Sequence, residues 1–184
     1  MNEWLVNGMQ GLIWSTPYTD RASVLGVRVT LEGDLSGGAE TAVMDASLRE
    51  QLAHIYAETR TIAVVGASGD PSKPAHSIPR YLQRQGYRIR PVNPRGGEIL
   101  GEPVARSLAE VDGPLDVVEV FRPAAEAPQV AREAVEVSAK VLWLQLGIES
   151  QEAKQAAEAA GLTVVMNRCM GTTHAELGLG PGPD

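Results

Sequence analysis

The stretch IAVVGASGDPSKPAHS, residues 62–77, decides the fold that the rest of the chain is predicted to adopt. It begins with an apolar run rich in β-branched residues, Ile62–Val65, as expected of a strand buried on both faces. Gly66–Gly69 is a turn of small residues, and His76–Pro79 starts a helical pattern with a proline near its first turn. A strand, a small-residue turn and a helix N-terminus together present backbone N–H groups to a phosphate in α/β proteins.

Polar and basic side chains in this stretch favour a ligand-binding loop over a plain turn. A tight turn between strand and helix needs only Gly66 and Gly69, which permit unusual backbone angles. Ser68, Lys73 and Ser77 add two hydroxyl groups and a positive charge that such a turn does not need. We therefore expect this loop to hold an anionic group.

Helical and strand patterns alternate through the rest of the chain. The predicted helices are Leu48–Glu58, Ser77–Gln85, Pro123–Val137 and Gln151–Ala160, and the predicted strands are Thr61–Val65, Tyr87–Val92, Leu115–Val120, Lys140–Leu144 and Leu162–Val165. Ser47 is the predicted N-cap of the first helix, with Glu50 at the capping-box position. Because successive parallel strands need crossover connections, the predicted class is α/β: a doubly wound, Rossmann-like parallel five-stranded sheet with helices on both faces.

The chain divides into three predicted parts. Residues 1–43 form an N-terminal extension, and we hypothesise that the natural protein starts at Met44, because every organised pattern begins there. Residues 44–177 form the Rossmann-like domain. Residues 178–184 are rich in glycine and proline and are expected to be a flexible tail.

Composition excludes several classes of function. The net charge of -7 argues against a general nucleic-acid binder, which gains its affinity by neutralising phosphates. No run of 18 apolar residues is present, so no membrane span is expected. The chain has one cysteine, Cys169, and three histidines without ligand spacing, so we expect neither a disulfide nor a metal site. This cysteine usage fits a reducing cytoplasm.

Ligands of open α/β sheets bind beyond the carboxyl ends of the strands. The residues that follow the five predicted strands in turn are Gly66, Ala67, Ser68 and Lys73; Asn93, Pro94 and Arg95; Phe121, Arg122 and Pro123; Gln145, Leu146 and Gly147; and Asn167, Arg168 and Cys169. Four of these are cations, at Lys73, Arg95, Arg122 and Arg168, and Asp70 is the only acid expected beside them. This concentration of positive charge in an acidic chain predicts a ligand with several phosphates.

Two features argue against an ordinary dinucleotide site. Ala67 and Ser68 follow Gly66, so the Gly-x-Gly-x-x-Gly fingerprint is absent, and no acid follows the second strand to hold a ribose. Arg95 lies there instead and suits a phosphate on the ribose. NADP carries such a phosphate at the 2′ position and coenzyme A at the 3′ position, and the residues alone leave both open.

Six sequence blocks resemble the small stand-alone coenzyme A-binding proteins, whose fold is similar to the N-terminal domain of the succinyl-CoA synthetase α subunit. The blocks are VVGAS at 64–68, GYRIRPVNP at 86–94, EILGE at 98–102, DVVEVFR at 116–122, KVLWLQLGI at 140–148 and GLTVVMNRCM at 161–170. The resemblance implies coenzyme A as the ligand. The residues it assigns to the site are Gly66, Ala67, Ser68, Lys73 and Ser77 around a first phosphate, Asn93, Pro94 and Arg95 around the adenosine and its ribose phosphate, and Phe121, Arg122 and Pro123 along the pantetheine and pyrophosphate.

The resemblance is incomplete near the C-terminus. The family usually has an aspartate where Asn167 stands and a Glu-His pair where Thr173 and His174 stand. The second domain that carries the phosphorylated histidine of the synthetases is also missing, so ligase activity is not carried over. These departures leave the predicted phosphate-binding groups intact.

The sequence offers no set of catalytic residues, so we assign none. We consider two interpretations of Cys169: a thiol that forms a mixed disulfide with coenzyme A, and a small residue that closes the sheet. We favour the second interpretation. The leading hypothesis is a non-catalytic carrier or sensor of coenzyme A or an acyl-CoA. The alternatives are an NADP-dependent oxidoreductase with an atypical phosphate loop and a scaffold whose ligand regulates a protein partner. A homodimer is left open.

Overall fold

The computed structural model describes residues 45–182. The predicted extension over residues 1–43, the proposed start at Met44 and the last two residues of the predicted tail lie outside this range. Within it the helices are α1 (Ala46–Glu58), α2 (Pro74–Arg84), α3 (Ala127–Glu136), α4 (Gln151–Ala159) and α5 (Met170–Glu176). The strands are β1 (Thr61–Val65), β2 (Arg88–Val92), β3 (Glu98–Ile99), β4 (Glu102–Pro103), β5 (Val117–Val120), β6 (Val141–Leu144) and β7 (Thr163–Val165).

Five of these strands form one parallel sheet in the order β2-β1-β5-β6-β7. The predicted α/β class with a five-stranded parallel sheet is therefore confirmed. The strand order reverses between β1 and β5, and this switch point is where open α/β sheets place their ligands. β3 and β4 pair with each other as an antiparallel hairpin beside this sheet.

Helices cover both faces of the sheet, as predicted. On one face α1, α2 and α5 bury Leu52, Leu82 and Met170 against Ile62 and Trp143. On the other face α3 and α4 pack against each other through small side chains, since Ala131, Ala134, Ala153 and Ala157 are all fully buried. Every residue of β1, β5 and β6 is buried, which explains why the sequences of these strands are almost continuously apolar.

The starts of the first two helices differ from the prediction. Asp45, not Ser47, is the N-cap of α1, because its carboxylate accepts the Leu48 N–H at 2.7 Å. α2 begins at Pro74, three residues before the predicted Ser77, with Lys73 as its N-cap residue. A proline fits the first position of a helix, since its missing N–H would have no partner there.

No helix within residues 45–182 is long and apolar enough to cross a membrane.

Candidate ligand-binding site

A cavity of about 600 Å³ opens at the carboxyl edge of the sheet, over the switch point between β1 and β5. We call it the edge cavity. It is lined by Gly66, Ala67, Ser68, Gly69, Lys73, Ala75, Asn93, Pro94, Arg95, Gly96, Gly97, Glu98, Ile99, Phe121 and Arg122. These residues come from the loops after β1, β2 and β5, which the strand order brings together.

Gly66 comes directly after β1, where the loop after β1 passes close to the loop after β5. Its φ of 89° is one that side-chain-bearing residues rarely adopt. A Cβ at this position would lie 3.0 Å from Arg122 Cδ and 3.3 Å from the Phe121 carbonyl carbon. The glycine therefore lets the Arg122 side chain cross directly over the end of β1.

Most backbone N–H groups of the loop after β1 already donate to acceptors within the protein. Gly66 N–H donates to the Val92 carbonyl at 3.0 Å and Ala67 N–H to the Val64 carbonyl at 3.4 Å. Ser68 N–H donates to the Ala75 carbonyl at 3.1 Å. That carbonyl is available because the residue four positions later in α2 is Pro79, which has no N–H to complete the helical bond.

Four residues that line the edge cavity have backbone N–H groups without an acceptor within the part of the chain that the structure describes. Gly69 lies in the loop after β1 and Ala75 in the first turn of α2, while Gly97 and Arg122 lie in the loops after β2 and β5. The sequence prediction centred the phosphate loop on Gly66–Ser68. The structure moves the N–H donors available between β1 and α2 a few residues further along the chain.

Two side chains brace the loop from outside. His76 Nδ1 lies 2.8 Å from the Ser68 carbonyl oxygen, within hydrogen-bond distance. Asn93 donates from Nδ2 to the Ala67 carbonyl at 2.9 Å and accepts the Arg95 N–H on Oδ1 at 3.0 Å. Asn93 thus ties the loop after β2 to the loop after β1.

Three cations face the edge cavity: Lys73, Arg95 and Arg122. Lys73 and Arg95 are exposed, and neither takes part in an ion pair with another residue of the 45–182 range. Arg122 is half-buried and forms a two-bonded ion pair with Glu126. Asp70 lies beside Lys73, and the hydrogen bonds from Ser72 lower the pKa of its carboxyl, so it is a fixed negative charge near neutral pH.

The predicted charge pattern needs two corrections. Arg168 lies after β7, two strands beyond β5, and does not line the edge cavity. Asp70 is also not the only acid, because Glu98 lines the cavity and Glu126 pairs with Arg122. Sequence reasoning assumed that all five strand ends meet, whereas a twisted sheet of five strands spreads them over its full width.

Nine of the eleven predicted site residues line the edge cavity, namely Gly66, Ala67, Ser68, Lys73, Asn93, Pro94, Arg95, Phe121 and Arg122. Ser77 and Pro123 lie next to these loops but outside the lining. The prediction omitted the segment Gly96–Ile99, whose glycine pair directly after Arg95 could have marked it as part of the same loop.

The remaining candidates lie away from the cavity. Cys169 caps α5, where its Sγ accepts the Thr172 hydroxyl at 3.2 Å, and it is absent from the cavity lining. His174 is fully buried among Tyr56, Tyr81 and Tyr87, with Nδ1 3.0 Å from the Tyr81 hydroxyl, and burial lowers its pKa. No cluster of His, Cys, Asp or Glu within residues 45–182 could hold a metal ion.

Comparison with known proteins gives one family and several relatives. Residues 60–175 match the model of the CoA binding domain family. The chain is 40% identical over 127 residues to the uncharacterised Bacillus subtilis protein YneT, which spans 69% of this chain and 94% of YneT. It is 30% identical over 131 residues to the α subunit of an ADP-forming acetate–CoA ligase II from Pyrococcus furiosus, which spans 64% of this chain and 29% of that subunit.

The solved structures include a similar small protein. The structure of a Thermus thermophilus protein designated cell-free ID.343 superposes with a TM-score of 0.68 at 41% identity. The match covers 70% of this chain and 98% of the Thermus chain. The family match, the length of these relatives and the shared fold all support the same family assignment.

Proposed function

The chain belongs to the CoA binding domain family, and on that premise we propose that its edge cavity binds coenzyme A or an acyl-CoA without carrying out chemistry on it. The observation that carries the proposal is the lining of the cavity. Three cations, together with unpaired backbone amides that include those of Gly69 and Ala75, line one cavity at the switch point of the sheet. Such a donor set suits a ligand with several phosphates.

The lining divides into groups that suit different parts of coenzyme A. Gly69 and Ala75 N–H, with Lys73, are donors for a phosphate at the start of α2. Arg95 stands at the end of β2, where the ribose of a nucleotide is held in α/β folds, and is our candidate for the 3′-phosphate. Phe121 and Arg122 line the route from there along the end of β5 and are the candidates for the pantetheine arm and pyrophosphate.

Neither the thiol nor the imidazole that the sequence places after the last strand reaches the edge cavity, and this supports a carrier or sensor role. Cys169 and His174, the two reactive side chains that follow β7, do not line it. The Pyrococcus furiosus relative has a named activity, that of an ADP-forming ligase subunit, and this chain spans 29% of that subunit. That activity therefore supports the family assignment and is not proposed for this chain.

Calorimetric titration of the purified protein with coenzyme A, and in parallel with NADP⁺ and NAD⁺, tests the proposal. We expect coenzyme A to bind with a Kd on the order of micromolar, and neither dinucleotide to bind at the same concentration. Acetyl-CoA as a further titrant reports whether an acyl group alters affinity. Binding of NADP⁺ with no binding of coenzyme A would contradict the proposal.

A further inference from the structure

Arg122 is the one cation of the edge cavity that has a carboxylate partner within the described range. Its Nε donates to Glu126 Oε2 at 2.8 Å and its Nη2 donates to Glu126 Oε1 at 2.9 Å. The two side chains are 42% and 45% exposed. A two-bonded arginine–carboxylate pair has specific geometry, but solvent keeps its net contribution small.

This ion pair stands at a boundary between two cavities. Arg122 lines the edge cavity and also a second cavity of about 370 Å³, whereas Glu126 lines only the second. The aliphatic stem of Arg122 passes close to Gly66, where an added Cβ would lie 3.0 Å from its Cδ. The side chain therefore already borders the edge cavity while its guanidinium is bonded to Glu126.

A phosphate and a carboxylate bind an arginine side chain with the same geometry. Both offer two oxygens in a plane, and both are best held by two parallel N–H donors of the guanidinium. Nε and Nη2 of Arg122 already donate to Glu126, so a phosphate in the edge cavity competes for them. The negative charge of Glu126 also disfavours a phosphate placed nearby, whereas neither Lys73 nor Arg95 forms an ion pair within residues 45–182.

We propose that Glu126 is an affinity-setting residue: it holds Arg122 when the cavity is empty and releases it to a ligand phosphate. This inference rests on the proposed function for the identity of the ligand. It explains why one of three cations at a polyphosphate site is neutralised while the other two are unpaired. The competition also makes affinity lower than three unpaired cations would give.

The test measures coenzyme A affinity of the full chain carrying Glu126→Gln, which keeps the shape of the side chain and removes its charge. We expect the variant to bind coenzyme A about three- to fivefold more tightly near 20 mM salt. A gain of this size corresponds to the free energy of a half-exposed ion pair that no longer has to be broken. The gain should shrink at about 0.3 M salt, because screening weakens the original pair. Glu136→Gln, an exposed carboxylate at the far end of α3, removes the same charge and is expected to leave affinity unchanged.

The same substitution in an Arg122→Gln background separates competition from simple repulsion. If Glu126 acts by holding Arg122, its replacement gives little gain once Arg122 is absent. Equal gains in both backgrounds would show that Glu126 only repels the ligand. Unchanged or weaker binding of the single variant would show that it does not compete, and either result overturns the proposal.

Inorganic pyrophosphate as a second titrant distinguishes failure of this inference from failure of the proposed function. Pyrophosphate that binds more tightly to Glu126→Gln than to the wild type, with no binding of coenzyme A, would reject the proposed ligand and retain the role of Glu126. Failure of both titrants to bind either protein would reject both proposals. Thermal unfolding of each variant confirms that it is folded.

Discussion

Arg95 and Arg122 show how residues of one type at one cavity differ in their surroundings. Arg95 is exposed on the rim after β2, and only its backbone N–H is bonded, to Asn93 Oδ1. Arg122 passes close to Gly66 along its stem and is bonded to Glu126 at its tip. An exposed, unpaired arginine such as Arg95 reaches a phosphate without first breaking an ion pair, whereas Arg122 has to leave Glu126.

Arg95→Ala tests the assignment of the ribose phosphate. We expect binding of coenzyme A to weaken by roughly 1.5–3 kcal/mol, the range for a hydrogen bond between charged groups. Dephospho-coenzyme A, which lacks the 3′-phosphate, should lose much less. The measurement is calorimetric titration of both ligands, with Arg84→Ala at the exposed end of α2 as the control. Equal losses for the two ligands would show that Arg95 does not contact that phosphate.

The loop after β1 and α2 are coupled to each other through one missing helical hydrogen bond. Pro79 inside α2 leaves the Ala75 carbonyl without its helical donor, and the Ser68 N–H takes that place. His76 from the same helix contacts the Ser68 carbonyl oxygen. A proline in a helix usually costs stability, but here it fastens the loop after β1 to the helix that follows.

The N-cap of α1 provides a test of an element boundary. Asp45→Ala removes the acceptor of the Leu48 N–H and should destabilise the protein by about 1 kcal/mol. Ser47→Ala lies inside the helix and should change stability by a few tenths of that at most, because alanine is a good helix former. Urea unfolding of the two variants gives the comparison. A larger loss for Ser47→Ala would restore the original prediction of Ser47 as the cap.

At the scale of the whole molecule, the sheet buries a carboxyl group in its centre. Glu119 lies in β5, is fully buried, and accepts a hydrogen bond from Gln145 Nε2 on Oε1. Its other oxygen has no partner within residues 45–182. Burial raises the pKa of Glu119 to about 8, partly offset by the Gln145 bond, so the carboxyl is protonated in the folded protein at neutral pH.

This carboxyl predicts how stability depends on pH. In the unfolded chain Glu119 ionises near its ordinary pKa of 4.5, so the folded state holds one proton more from there up to about pH 8. The contribution of Glu119 is therefore fully present below the unfolded pKa and is lost as pH rises through the folded pKa. The slope approaches about 1.4 kcal/mol per pH unit inside that window.

Glu119→Gln imitates the protonated carboxyl at every pH and should lack this dependence. We expect the free energy of unfolding of the wild type to fall relative to the variant between about pH 5 and pH 8. His174 titrates in an overlapping range, but it is common to both proteins and cancels in the difference. Parallel denaturant curves of wild type and variant over this pH range would contradict the assignment.

The sequence by itself determined the class of fold, most element positions and the family, because these depend on local patterns. β1 was predicted residue for residue from its apolar β-branched run, and the loops that follow three of the predicted strands supplied nine lining residues of the edge cavity. The tertiary structure alone decided the rest. Strand order removed Arg168 from the cavity, and packing placed Glu126 on Arg122 and isolated Glu119 from water. Those outcomes depend on which distant segments meet, and no local pattern encodes that.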